Sequence, residues 1–450
     1  MKITFLGATE GVTGSNYLLE AEDKKIMVDC GLYQGTPEEE KQNWQNFEYN
    51  PKEIDILIVT HSHIDHIGLI PKLYKDGFRG VIYSTPATYD FATIFLEDSC
   101  EILKKSSDRH QKPYIYELTD VTSCLKLFET VPYHVKKNIA KNSFFTFFDA
   151  GHILGSAFIK LESGGKTIVF SGDLGNPPVP IIKDTEYIKD ADYVVVESTY
   201  GDRMHKKSEG RRDELENVIE DTYSKRGTLL IPAFAMERTQ ELLYEINELL
   251  SENRIPKIPV YIDSPLAIKA TNIYPKYIND FDADARDKIK RGQKLFDFSG
   301  LRMTESVEES KKIDADRNPK IVIAGSGMST GGRIVHHEIE FLPLESTVLL
   351  IIGFQVEGTL GRKLVEGAKE VNIRGQYVPV NAKVISLDSY SAHADWPKLI
   401  HWLSQMGNEK LKKIFLTHGE ATAKKIFRSK VQDETGVETI IATKNMEVTL

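Results

Sequence analysis

The run Ile54-Asp55-Ile56-Leu57-Ile58-Val59 reads as a buried β-strand, and it leads without a break into Thr60-His61-Ser62-His63-Ile64-Asp65-His66. A chain built around this stretch needs a sheet whose strand ends form a polar rim. On an extended turn His61 and His63 point the same way, two residues apart. Asp65 and His66 fall where the chain enters the next element, so their side chains can diverge towards a second point. Imidazole and carboxylate are ligands for zinc and its divalent neighbours, and H-x-H-x-D-H offers two pairs of them. A lone histidine in such a turn is most simply solvated. Three histidines and an aspartate directly after a buried strand read as a metal site.

The pattern recurs along the chain. Ile26-Met27-Val28 ends in Asp29, and the stretch 144–148 runs into Asp149-Ala150-Gly151-His152. Ile168-Val169-Phe170 ends in Ser171-Gly172-Asp173, and Val194-Val195-Val196 in Glu197. The strand at 383–387 leads to Ser389-Tyr390-Ser391-Ala392-His393, and Ile414-Phe415-Leu416 to Thr417-His418. Taken singly, an acid after a strand is more often a turn former or a cap. Six such endings together with the opening cluster are expected to converge on one rim.

The texture of the chain changes twice. Residues 1 to about 200 are short apolar runs separated by Gly-rich turns, beginning with a β-meander. From 201 to 382 helical stretches (212–224, 239–253) alternate with strands (228–231, 260–263, 321–324, 348–352), the mark of a parallel α/β unit. Residues 383–450 carry strands at 383–387 and 413–417 and helices at 397–406 and 421–435. At 450 residues the chain exceeds one ordinary core, so two domains, or one with a large insertion, are expected.

No apolar stretch is long enough to span a bilayer, and Met1 runs straight into strand-like sequence with no pattern of a signal peptide, so no membrane partner is expected. Cys30, Cys100 and Cys124 are far apart and form no C-x-x-C, so a disulfide framework is not expected and a reducing cytoplasm fits. The net charge of −9 argues against loose duplex binding, while leaving room for a local basic channel beside a metal site.

His61-Ser62-His63-Ile64-Asp65-His66 with Asp29, His152 and Asp173 resembles the metallo-β-lactamase fold, in which two β-sheets pack between helices and hold one or two metals. Glu197, His393 and His418 resemble the three additional motifs of the β-CASP nucleases within that superfamily. So do Val12-Thr13-Gly14-Ser15, the stretch 29–35, Ile231-Pro232-Ala233-Phe234-Ala235 and Gly358-Thr359-Leu360-Gly361-Arg362. The resemblance spans essentially the whole chain and is greatest to the endonuclease subunit of the pre-mRNA 3′-end cleavage machinery and its shorter prokaryotic counterparts. It implies an αββα sandwich made of residues 1–200 and 383–450, with a parallel α/β β-CASP domain inserted at 201–382.

The same resemblance implies roles. His61, His63 and His152 would hold a first zinc ion, Asp65, His66 and His418 a second, and Asp173 would bridge them. Manganese or iron would suit the same donors. Asp29 would orient a ligand or the nucleophile, His393 would be the general acid, and Glu197 would hold it. His418 points to RNA, because the DNA-repair branch typically carries Val at this place. The implied activity is endonucleolytic hydrolysis of single-stranded RNA, with a homodimer left open. Arg238, Arg362, Ser391 and Lys206-Lys207 are candidates for phosphate contacts, and the loop 325–333 is either a phosphate cradle or a tight turn. His205, His336, His337 and His401 match no ligand position and read as surface or structural. A small ester or thioester hydrolase would share the histidine cluster but needs neither the insertion nor His393. A noncatalytic RNA-binding subunit would not need the full ligand set.

Overall fold

The computed structural model describes residues 1–205, 210–407 and 410–450, so Lys206-Lys207 lies outside the described residues. The chain divides into two compact units, one made of residues 1–177, 184–204 and 393–450, the other of 178–183 and 205–392. No described helix is long and apolar enough to cross a membrane.

In the first unit, β1 (Lys2–Phe5), β2 (Tyr17–Ala21) and β3 (Lys24–Val28) form the expected antiparallel meander. It continues in parallel through β4 (Ile56–Ile58), β5 (Val81–Ser84) and β6 (Phe128–Thr130). A second sheet repeats this plan. β7 (Lys137–Ala140), β8 (Ser143–Asp149), β9 (Ala157–Ser163) and β10 (Lys166–Phe170) are antiparallel, and β11 (Tyr193–Val196) then runs parallel to β10. The side chains facing inwards make one core: Ile56 and Ile58 of β4 share it with Phe145 and Phe147 of β8 and Ile168 and Phe170 of β10. Each such buried side chain contributes about 2 kcal/mol of transfer free energy. Phe148, the outward neighbour of Phe147, stacks on Phe158 with ring centroids 5.2 Å apart. The phenylalanine run thus packs on both faces of one strand, Phe147 in the inner core and the half-buried Phe148 against the outer one.

The second unit is a six-stranded, wholly parallel sheet. It contains β12 (Thr228–Pro232), β13 (Val260–Asp263), β14 (Leu301–Met303), β15 (Lys320–Ala324) and β16 (Val348–Ile351). A separate hairpin pairs β17 (Glu370–Ile373) with β18 (Gln376–Pro379), and β19 (Lys383–Ser386) then completes the sheet beside β16. The order is β14-β13-β15-β12-β16-β19. Helices Arg211–Ser224 and Arg238–Ser251 cover one face and helix Ile334–Phe341 lies on the other, as parallel strands buried on both faces require. The strand expected to reopen the first domain at 383 thus belongs to the second unit, because Val384 and Ile385 pair in register with Leu349 and Leu350.

The chain then returns to the first unit. β20 (Lys413–Leu416) adds in parallel to β11, β21 (Glu438–Ile441) to β20, and β22 (Glu447–Thr449) closes against β1. Helices Trp396–Ser404 and Ala421–Thr435 present Leu399, Trp402, Leu403, Phe427 and Val431 to the outer face of this sheet.

Candidate metal centre

In the first unit the ends of β3, β4, β8, β10, β11 and β20 deliver their polar residues to one place. His393 arrives differently. It follows no strand of this unit but forms an isolated antiparallel bridge with Gly175, next to Asp173. Two tight approaches let the loops meet. A Cβ on Gly31 would sit 1.6 Å from the Asp65 carbonyl oxygen. Gly172, at φ +53°, leaves room for the side chain of Thr60.

The donors fall into two sets sharing one carboxylate: His61, His63, His152 and Asp173, and Asp65, His66, His418 and Asp173. In the first set His61 Nε2 lies 3.1 Å from His63 Nδ1, and His152 Nε2 lies 3.2 Å from the same atom. Asp173 Oδ2 stands 3.4 Å from His61 Nε2 and 3.7 Å from His152 Nε2. In the second, His66 Nε2 and His418 Nε2 are 3.3 Å apart, with Asp65 Oδ2 3.3 Å from His418 Nε2. Asp173 Oδ1 is 3.4 Å from His66 Nε2 and 3.6 Å from His418 Nε2. It makes no hydrogen bond among the described residues although it is fully enclosed.

These spacings fit a metal. Tetrahedral ligands about 2.0–2.1 Å from a zinc ion stand roughly 3.3 Å from one another. Two neutral imidazole lone pairs 3.1 Å apart repel unless a proton or a cation lies between them. Burial, and then the nearby His66, push His61 well below the usual histidine range, and burial brings His63 down to about 4. Both are thus neutral, the form that ligates. Burial opposes charge on Asp173 too, but His418, His66, His393 and His61 hold its carboxyl well below the ordinary value. His66 goes the opposite way from His61 and His63. Burial works against its charge, yet Asp173, Asp29 and Asp65 raise it well above the usual range.

A ring of hydrogen bonds lies behind the donors. Asp29, left-handed at φ +57°, accepts from His66 Nδ1 at 2.7 Å, from the Thr60 amide at 2.8 Å and from the Thr60 hydroxyl at 2.8 Å. The hydroxyls of Thr60 and Thr199 stand 3.1 Å from His61 Nδ1 and 3.2 Å from His418 Nδ1. Sequence reasoning passed over both threonines. The only available signal was their adjacency to His61 and to the Glu197 strand end. On the other side His393 Nδ1 is 3.2 and 3.1 Å from the two oxygens of Glu197, and its Nε2 is 4.0 Å from Asp173 Oδ2. Leu174 N donates to Glu197 Oε1 at 2.7 Å and keeps the carboxylate in place. Burial lowers the His393 pKa, but Glu197 and Asp173 outweigh it, and the ring ends up at about 9.

Of the candidates for phosphate contacts, Arg238, Arg362 and Ser391 belong to the second unit. Arg238 is buried, with Nη1 on Glu241 at 2.6 Å and on the Tyr390 carbonyl at 2.8 Å, which ties the start of its helix to the following loops. Arg362 pairs with Glu366 one turn along its own helix, and Ser391 is buried. The loop 325–333 closes on itself: Ser326 Oγ accepts from the amides of Thr330 and Gly331, the tight-turn reading of that stretch. His337 is buried in an ion-pair network, in keeping with its structural reading.

Comparison with known proteins agrees with this geometry. Residues 9–97 match the metallo-β-lactamase superfamily, 239–364 the β-CASP domain, and 377–442 the Zn-dependent metallo-hydrolase RNA specificity domain. The chain is 36% identical over 420 residues to Ribonuclease TTHA0252 of Thermus thermophilus, covering 93% of each. It is 31% identical over 422 residues to an RNase J-like protein of Methanocaldococcus jannaschii, covering 93% of this chain and 92% of that one. Transcription termination factor FttA of the same organism is 30% identical over 432 residues, 93% of this chain and 67% of its own length. A crystal structure of a protein of unknown function from Enterococcus faecalis shares the fold, with a TM-score of 0.57, 9% identity and 100% and 99% of the two chains covered. The chain therefore belongs to the β-CASP ribonucleases of the metallo-β-lactamase superfamily, a family of metal-dependent hydrolases.

Proposed function

We propose that this protein hydrolyses phosphodiester bonds within single-stranded RNA using two zinc ions. The observation carrying this reading is the pair of donor sets joined through Asp173, with the His393–Glu197 pair beside them. His61, His63 and His152 would hold one ion and Asp65, His66 and His418 the other. Two such ions, when bound, supply Lewis-acid charge for a water and for the phosphoryl oxygens. Asp29 keeps His66 turned inwards through its Nδ1 hydrogen bond. Glu197 accepts the Nδ1 proton of His393 and so leaves the Nε2 proton facing the centre. His393 then gives that proton to the leaving oxygen as the phosphorus–oxygen bond breaks. A nearby cation would draw its pKa down from about 9 towards neutrality, where a general acid works best.

RNA rather than a small ester is favoured because the match to the RNA specificity domain includes both His393 and His418. The relatives named ribonucleases cover nearly the whole chain. The complete donor set weighs against a noncatalytic subunit. The test is to offer metal-loaded protein labelled single-stranded RNA, DNA and a thioester, beside His63→Ala. Internal cuts in RNA by the wild type alone are expected. Thioester turnover without RNA cleavage would overturn the reading, and equal cutting by His63→Ala would trace the activity to a contaminant.

A further inference from the structure

Each donor histidine has a second ring nitrogen, and what that nitrogen meets decides which one can face a metal. Thr60 has one hydroxyl proton. Asp29 Oδ2, 2.8 Å away, can only accept, so the proton goes there. The oxygen of Thr60 is then left to accept from His61 Nδ1, which leaves the Nε2 lone pair of His61 facing His63 and Asp173. Thr199 is arranged likewise. Its hydroxyl lies 3.3 Å from the His418 carbonyl, to which it donates, and 3.2 Å from His418 Nδ1, from which it accepts. One side chain thus grips His418 at both ring and backbone, at a residue whose own φ is +49°. Both threonines are buried, so no bulk water substitutes for them.

The two hydroxyls differ in reach. Thr60 delivers its proton to the same oxygen, Asp29 Oδ2, that accepts from His66 Nδ1 at 2.7 Å. Asp29 Oδ1 meanwhile accepts from the Thr60 amide. The Asp29–Thr60 pair therefore orients one histidine from each donor set, whereas Thr199 touches a histidine of the second set only. We infer that Thr60 and Thr199 are positioning residues that select the Nδ1–H tautomers of His61 and His418, and that Thr60, through Asp29, couples the loading of the two metal positions while Thr199 governs one. This rests on the two-ion reading above.

The experiment is zinc titration into metal-free protein against a chromophoric chelator, for wild type, Thr60→Val, Thr199→Val and the two Thr→Ser variants. Wild type is expected to take up two equivalents. Thr199→Val should weaken one binding step by about 10–100-fold and leave the other unchanged, and Thr60→Val should weaken both. Serine, which keeps the hydroxyl, should restore wild-type binding at either place. Unchanged affinities in both valine variants, or one step affected by Thr60→Val, would overturn the inference while leaving the two-ion reading standing. Wild type taking up fewer than two equivalents would overturn both. Should a valine variant not fold, nitrogen NMR of zinc-loaded, histidine-labelled wild type decides. Nδ1-protonated rings at His61 and His418 are expected, and an Nε2-protonated ring at either refutes the assignment.

Discussion

Each unit of this chain buries histidine against aspartate, and the two clusters differ in what lies between their polar atoms. In the second unit His337 Nδ1 meets Asp314 at 2.5 Å and Nε2 meets Asp263 at 2.8 Å. Ser310 donates to Asp263 at 2.5 Å and Arg333 completes it at 2.6 Å. Both ring nitrogens of His337 have a carboxylate for a proton. Burial alone would depress His337, but its hydrogen bonds to Asp263 and Asp314 lift it to about 9, so it sits there as a cation. In the first unit ring nitrogen faces ring nitrogen, and Asp173 Oδ1 has no hydrogen bond among the described residues. One cluster is a closed ion pair; the other is an array of lone pairs with room for a cation. Residue types and burial alone do not separate the two. The direction of the lone pairs does.

The contrast can be attacked from its strongest point downwards. Asp173→Asn removes the carboxylate common to both donor sets, so metal content measured by elemental analysis should collapse and RNA cleavage fall to the detection limit. Retention of two metal equivalents would place the bridge elsewhere. His393→Gln should lower the single-turnover cleavage rate by about 10²–10⁴-fold, as expected on losing a general acid. Its metal content should stay at the wild-type value, and a loss of metal would make His393 a ligand instead. In the closed cluster His337→Gln should cost about 3 kcal/mol, because it removes the buried cation shared by Asp263 and Asp314 and leaves Asp263 with Arg333 and Ser310 alone, while metal content and cleavage remain unchanged. The pH dependence has a definite sign. His337 is raised from its ordinary 6.5, so its stabilising share is complete below that value and disappears as pH rises through about 9. Denaturation midpoints of wild type and His337→Gln should converge over that window. Midpoints that stay equally far apart at pH 6 and pH 10 would mean the ring is not charged. Last, Arg362→Ala breaks a half-exposed pair with Glu366 and should change stability by less than about 0.5 kcal/mol.

The metal centre was legible because its residues stand at strand ends, where apolar runs stop abruptly at His, Asp or Glu. Strand Val260–Asp263 and helix Ala421–Thr435 were legible as well, and begin and end where their apolar periodicity puts them. Short edge elements were not. β22 is three residues long and exists because Lys2 pairs with Thr449 from the other end of the chain. β19 misled for a related reason. Its apolar alternation suits any parallel sheet, and only its register with β16 assigns it to the second unit. The charge of Arg238 is visible in sequence, whereas the partners of its Nη1, Glu241 and the Tyr390 carbonyl, are brought to it by folding. The threonines behind His61 and His418 were invisible on the same ground, since a hydroxyl's role depends on which nitrogen it faces.

The placement of the donors also orders them in time. His61, His63, His152 and Asp173 have all been synthesised once the chain reaches residue 173, whereas the second set is incomplete until His418 has emerged, 352 positions after its partner His66. Between those two moments the whole second unit is made. A chain that stops before His418 can therefore carry at most one of the two donor sets, and completion of the other accompanies the pairing of β20 with β11. A metal held at the second position would report that synthesis has passed His418.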